Sequence, residues 1–187
     1  MYAEMKSTLF VSTALVCGGI ANATPRSFNV KQQVTYNGLE RNGIEIFLNV
    51  KYGRDTSGEN RFKPPRAYIP TPGSNISATS YGPACPQSLE AFPPFGLTVV
   101  ISMSEDCLNL NVARPKGTSA EDKLPVLVFI HGGSFWEGSN QEITNAPDGM
   151  ILESVKNGLP VMHVGLNYRL GSMHLTECLS CLMIQQY

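Results

Sequence analysis

Charge is scarce in this sequence. Fourteen Lys and Arg face fifteen Asp and Glu, together 16% of 187 residues, where an ordinary globular domain carries about 25%. A net charge of −1 supplies no basic field for holding a nucleic acid. So low a charge density fits either a chain buried on many sides or a piece of a larger body. Long hydrophobic runs are missing as well: the most apolar stretch, residues 9–20, is shorter than the roughly 20 residues that cross a bilayer. Repeats and low-complexity tracts are also absent. The apolar content, 42%, is enough to build a core and excludes disorder and collagen.

The first residues read as a targeting segment. Lys6 gives a basic start, residues 9–20 are mostly apolar and small, and Ala21-Asn22-Ala23 is an A-x-A cleavage pattern. The pattern predicts a signal peptide over 1–23 and a secreted chain from Thr24. Secretion favours disulfides. Cys17 leaves with the signal, and Cys85, Cys107, Cys178 and Cys181 allow three pairings. Asn75-Ile76-Ser77 is a glycosylation sequon in a Pro/Gly/Ser-rich stretch, 70–80, which reads as a surface loop.

Beyond the signal, the chain consists of short apolar runs separated by turn residues. Residues 30–36 and 44–50, alternating around Asn37-Gly38 and Asn42-Gly43, predict a two-stranded unit. Prolines punctuate 51–104 and leave few windows for a helix. A strand is expected over 108–113, closed by Pro115. Residues 126–130, Val-Leu-Val-Phe-Ile, form a continuous run of the kind found in a strand covered on both faces. The run stops at His131-Gly132-Gly133. A helix over 147–156 is predicted, with Pro147 in its first turn and Gly158 at its C-terminal cap. A second strand covers 161–166, with His163 as a core residue in its middle. Strand, helix and strand in this order predict an α/β sheet with parallel pairing. The Gly-Gly then lies at the carboxyl end of the first parallel strand, where binding sites form.

Motifs in fixed order narrow this further. They are Tyr36-x-Gly38, Phe47-x-x-x-Lys51-Tyr52, Arg61-Phe62-x-x-Pro65, Cys85-Pro86-Gln87, Ser104-Glu105-Asp106-Cys107-Leu108-Asn109-Leu110-Asn111-Val112, His131-Gly132-Gly133-Ser134-Phe135 and Asn167-Tyr168-Arg169-Leu170-Gly171. In these the sequence resembles the N-terminal part of the type-B carboxylesterase and lipase family of α/β-hydrolases, which includes the cholinesterases. Two positions depart from the family pattern: Asn49 stands where Gly is usual, and Asn109 where Tyr or Thr is. The resemblance implies the N-terminal portion of an α/β-hydrolase fold with a mixed, mostly parallel sheet. The expected domain division is a signal over 1–23, a partial hydrolase domain over 24–172 and a divergent tail over 173–187.

The resemblance also implies roles. Ester cleavage passes through a tetrahedral oxyanion that preorganised N–H donors must meet, and glycines let backbone approach where a Cβ would collide. The expected donors are the amides of Gly133 and Ser134, with Gly132 shaping the turn. Cys85 and Cys107 match the family's first disulfide, and Arg61 with Glu105 a buried structural ion pair. The loop between those cysteines has no tryptophan to face a choline cation, which disfavours cholinesterase specificity. Trp136 is read as a core residue that could alternatively line an acyl pocket.

No Gly-x-Ser-x-Gly occurs anywhere in the sequence, so the nucleophile elbow is not encoded. Gly171-Ser172 lacks the following glycine, and in the family the serine, acid and catalytic histidine come later than Tyr187, so His131, His163 and His174 do not inherit the base role. Cys178 and Cys181 with His174 fall short of a four-ligand zinc site and read as incidental. No cofactor or metal is expected. The sequence thus points to the N-terminal piece of a secreted serine ester hydrolase acting on small-molecule esters, itself inactive for want of a triad. The alternative is a short, non-catalytic secreted binding protein built from the same fold.

Overall fold

The computed structural model describes residues 24–29, 31–88, 100 and 102–173. The expected signal segment and nearly all of the expected tail, including His174, Cys178 and Cys181, lie outside the described residues. Two sheets are present. The smaller contains β1 (Arg26–Asn29), β2 (Val34–Asn37) and β5 (Asn75–Ser77) in the order β1-β2-β5. The larger runs β3-β4-β6-β8-β7, from β3 (Leu39–Arg41), β4 (Ile44–Lys51), β6 (Asn109–Pro115), β7 (Val126–Ile130) and β8 (Met162–Leu166).

The two runs expected to form one unit do not pair with each other. β2 pairs antiparallel with β1, while β4 pairs with β3 across the Asn42-Gly43 turn. The division falls at Gly38, where a Cβ would stand 2.4 Å from the Ile46 carbonyl oxygen and 2.8 Å from the Phe47 ring. A side chain there would collide with β4, so the bare backbone lets the chain step from one sheet to the other.

The large sheet is mixed, as expected, but within the described residues only β7–β8 is parallel; β3–β4, β4–β6 and β6–β8 are antiparallel. Short connections dictate this at the N-terminal end, because a two-residue turn such as Asn42-Gly43 can join only antiparallel strands. The parallel pair has its crossover helix, α1 (Asp148–Lys156). Its end is a Schellman motif: Gly158, at φ +72°, donates to the Val155 carbonyl, and Leu159 donates to that of Ser154. Pro147 is the N-cap rather than a first-turn residue, and Asp148 at the N-terminus is held by Arg41 (2.8 and 2.6 Å) and Asn42 (3.2 Å).

The core lies between β4, β6 and α1, where Ile44, Ile46, Leu48, Ala113 and Ile151 cluster. β4 carries a bulge between Phe47 and Val50, and Asn49 sits in it at φ +56°. This explains the departure at that position: the left-handed conformation suits Gly best and Asn next. A second cluster joins Leu108 and Leu170 to Cys85 and Cys107, which form a buried disulfide with Cα atoms 5.0 Å apart.

Candidate functional site

β7 delivers the chain to His131 at one end of the parallel pair, where the backbone enters an unusual turn. Gly133 has φ +102°, and a Cβ on it would sit 2.0 Å from the Glu137 carbonyl oxygen. The demand for glycine therefore falls on Gly133. At Gly132 φ lies outside the left-handed region and a Cβ would meet nothing within 4 Å, so the turn-shaping role expected of Gly132 moves one residue on. Ser134 (φ +53°) and Phe135 (φ +64°) are both left-handed, a strained arrangement for side-chain-bearing residues. The Gly133 carbonyl accepts from the amides of Trp136 (2.9 Å) and Glu137 (3.2 Å), which closes the turn. The amides of Gly133 and Ser134 themselves donate to no acceptor among the described residues, and both residues are exposed.

His131 is buried beneath this turn. Its Nδ1 lies 2.9 Å from the Gly132 carbonyl oxygen. A carbonyl only accepts, so Nδ1 carries the proton, and Nε2 is buried with no hydrogen-bond partner among the described residues. Burial pushes the imidazole below its ordinary value, although the Gly132 carbonyl and Glu142 pull the other way. The ring stacks on Tyr168 with centroids 4.4 Å apart, and the Tyr168 hydroxyl donates to the His131 carbonyl (2.8 Å). Burial raises the Tyr168 phenol, with Glu142 adding to the shift. Gly171 donates to the Phe135 carbonyl (2.7 Å). The motif Asn167 to Gly171, read in the sequence only as a family signature, is thus the brace of the turn.

Beyond the turn, 138–141 is fastened by side-chain amides. Asn140 donates from its backbone to Asn167 Oδ1 (2.7 Å) and from Nδ2 to Asn109 Oδ1 (3.0 Å), while Asn109 and Asn167 both donate to the Pro83 carbonyl. The departure at Asn109 therefore contributes an amide to a buried amide cluster. His163 is buried as expected and stacks on Phe129, and its pKa is depressed by burial.

The remaining expected residues occupy more varied surroundings. Arg61 and Glu105 are paired in a fork, Nε to Oε1 at 2.6 Å and Nη2 to Oε2 at 2.7 Å, but the arginine is 48% exposed. The buried character expected of the pair is not found, because Arg61 follows a surface turn of 3₁₀ helix, Gly58–Asn60. The better-buried pair is Arg114 with Glu45 (2.7 Å, 15% and 12% exposed), its guanidinium 5.0 Å from the centre of the Phe47 ring. Asn75 is exposed as expected but belongs to a short strand, where its Oδ1 accepts from Asn37 Nδ2. Trp136 is 60% exposed rather than in the core. No group of three or more metal-binding side chains occurs among the described residues.

The carboxylesterase family model matches residues 32–175, which include this turn and its Asn167 to Gly171 brace. The chain belongs to the carboxylesterase family. It is 52% identical over 152 residues to a secreted lipase of Arthroderma benhamiae, covering 81% of this chain and 26% of the lipase. It is 43% identical over 149 residues to VdtD of Byssochlamys spectabilis, an inactive carboxylesterase-like protein, covering 80% and 26%. Among solved structures it superposes on a thermophilic pNB esterase with a TM-score of 0.64 and 33% identity, covering 76% of this chain and 28% of that one. The chain therefore spans about a quarter of the length of these relatives. No helix among the described residues is long and apolar enough to cross a membrane.

Proposed function

We propose that this chain is the N-terminal portion of a secreted serine hydrolase of carboxylic esters, and that the amides of Gly133 and Ser134 are its half of the oxyanion hole. The observation that carries this is the turn itself. The N–H groups of two neighbouring exposed residues have no acceptor among the described residues, on a turn held open by Gly133 at φ +102° and closed behind by the Gly133 carbonyl. Donors fixed in advance stabilise developing negative charge without reorganising when it appears. Exposed Phe135 and Trp136 beside them offer an apolar wall for an acyl or alcohol group. Glycosylation at Asn75 and export through residues 1–23 belong to the same proposal, supported by the sequence patterns and by the relative named as a secreted lipase.

No Gly-x-Ser-x-Gly lies within these 187 residues, so the attacking serine must come from outside them. The test is the messenger: a frame continuous past Gly171 that reaches Gly-x-Ser-x-Gly, whose product is labelled by a fluorophosphonate and loses about 10²–10³ in kcat on Gly133→Ala. Labelling of the 187-residue chain on one of its own side chains would overturn the assignment. A second reading, a non-catalytic binding protein on the esterase fold, is favoured by the inactive relative at 43% identity. A folded, longer product that binds esters but resists labelling would establish it.

A further inference from the structure

We propose that Gln87 is a positioning residue of the Gly133 turn, setting the direction of the Gly133 N–H through Gly138 and His131; this rests on the oxyanion reading above. Gln87 stands two residues beyond Cys85, whose disulfide to Cys107 is buried. Its side-chain amide reads both backbone groups of one distant residue. Gly138 N donates to Gln87 Oε1 (2.8 Å), and Gln87 Nε2 donates to the Gly138 carbonyl (2.9 Å) and to that of Cys85 (3.1 Å). The arrangement fixes which way round the amide lies, since the reverse orientation would set NH₂ against N–H and oxygen against two carbonyls.

Gly138 is where that grip becomes useful. It has φ +116°, and a Cβ on it would fall 2.3 Å from His131 Nδ1 and 2.7 Å from the Gly132 carbonyl oxygen. Its backbone is therefore pressed against the ring and the carbonyl that hydrogen-bond to each other. The Gly132 carbonyl and the Gly133 N–H belong to one planar peptide unit, so whatever aims the carbonyl aims the N–H. On the far side, Tyr168 closes the ring in by stacking. His131 is thus held between Tyr168 and a glycine that Gln87 pins to the disulfide-anchored segment. Cys85-Pro86-Gln87 and the His-Gly-Gly turn, 44 or more positions apart in sequence, become parts of one device.

The experiment compares the full 187-residue chain with Gln87→Met, which keeps the side chain's length but not its hydrogen bonds, and with Gln87→Ala. Amide exchange is followed by NMR at Trp136 and Glu137, whose N–H groups close the turn, and phenylphosphonate is titrated while the Gly133 and Ser134 amide resonances are watched. In both variants exchange at Trp136 and Glu137 is expected to quicken about tenfold or more, as for local loosening, with β4 and β6 amides unchanged. The Gly133 response to phenylphosphonate is expected to weaken. Unchanged exchange at Trp136 and Glu137, or quickening spread equally over β4 and β6, would overturn the positioning role. If the turn loosens as expected but wild-type Gly133 and Ser134 ignore phenylphosphonate, the oxyanion reading fails while the link from Gln87 to the turn stands.

Discussion

β4 and β7 are both strongly apolar runs, and they meet opposite fates. β4 lies between β3 and β6, with Ile44 fully buried and Ile46, Phe47 and Leu48 nearly so. β7 pairs with β8 alone among the described residues, and Val126, Leu127, Val128 and Ile130 are 53%, 45%, 56% and 63% exposed. The more hydrophobic strand is the less covered one. An apolar run states that a strand needs cover on both faces; it does not state which residues supply it. The Gly133 turn grows from the end of the uncovered strand, so the candidate site lies at the open side of the sheet.

Mutation separates the two strands directly. Ile44→Ala opens a cavity in a closed core and is expected to cost about 2–5 kcal/mol, whereas Val128→Ala should change the stability of this chain by less than about 0.5 kcal/mol. Urea denaturation of both variants measures the contrast, and equal losses would show that β7 is covered in solution. Next in size is the buried disulfide, which packs with Leu108 and Leu170. Replacing Cys85 and Cys107 together by Ala releases a 22-residue separation and should cost roughly 3 kcal/mol by chain entropy, read as a lower urea midpoint.

pH sharpens the comparison on the β7 side. His131 and His163 are both depressed by burial below 6.5. The unfolded chain then binds more protons than the folded one, so stability falls as pH drops below 6.5, until the folded values are passed. Asp148 acts lower down: burial would raise its carboxyl, but Arg41 and Asn42 outweigh this and hold it below 3.8. Its stabilisation is present above 3.8 and disappears as pH falls through the folded value. Urea midpoints against pH should therefore decline first below 6.5, a step weakened by His163→Phe, and again in strong acid, a step weakened by Asp148→Asn. The smallest effect is expected at Arg61→Ala, because a half-exposed pair is screened by water; its urea midpoint should stay near that of the wild-type chain.

Elements with a local cause were legible in the sequence. α1 and β8 appear within a residue of their expected bounds because Gly158 and the 161–166 run mark them without reference to distant partners. Strand partners were not legible: 30–36 and 44–50 look like one hairpin until the 2.4 Å approach at Gly38 separates them into two sheets. At the candidate site, the His131-Gly132-Gly133 turn at the end of β7 and the Cys85–Cys107 pair were both expected from the resemblance. Gln87, Gly138 and Tyr168 were not assigned to the turn, since the bonds that tie them to it or to each other join residues 37 and 51 positions apart. The positive φ at Asn49 is a case where the sequence did carry the signal, in its exchange of one left-handed-tolerant residue for another.

The burial of Cys85 and Cys107, at 1% and 0% exposure, governs more than stability. A dithiol added to the folded chain cannot reach either sulfur, because thiolate attack needs access to the bond. Loss of the crosslink under reducing conditions would then be timed by how often this part of the molecule opens, making reductant a clock for its breathing.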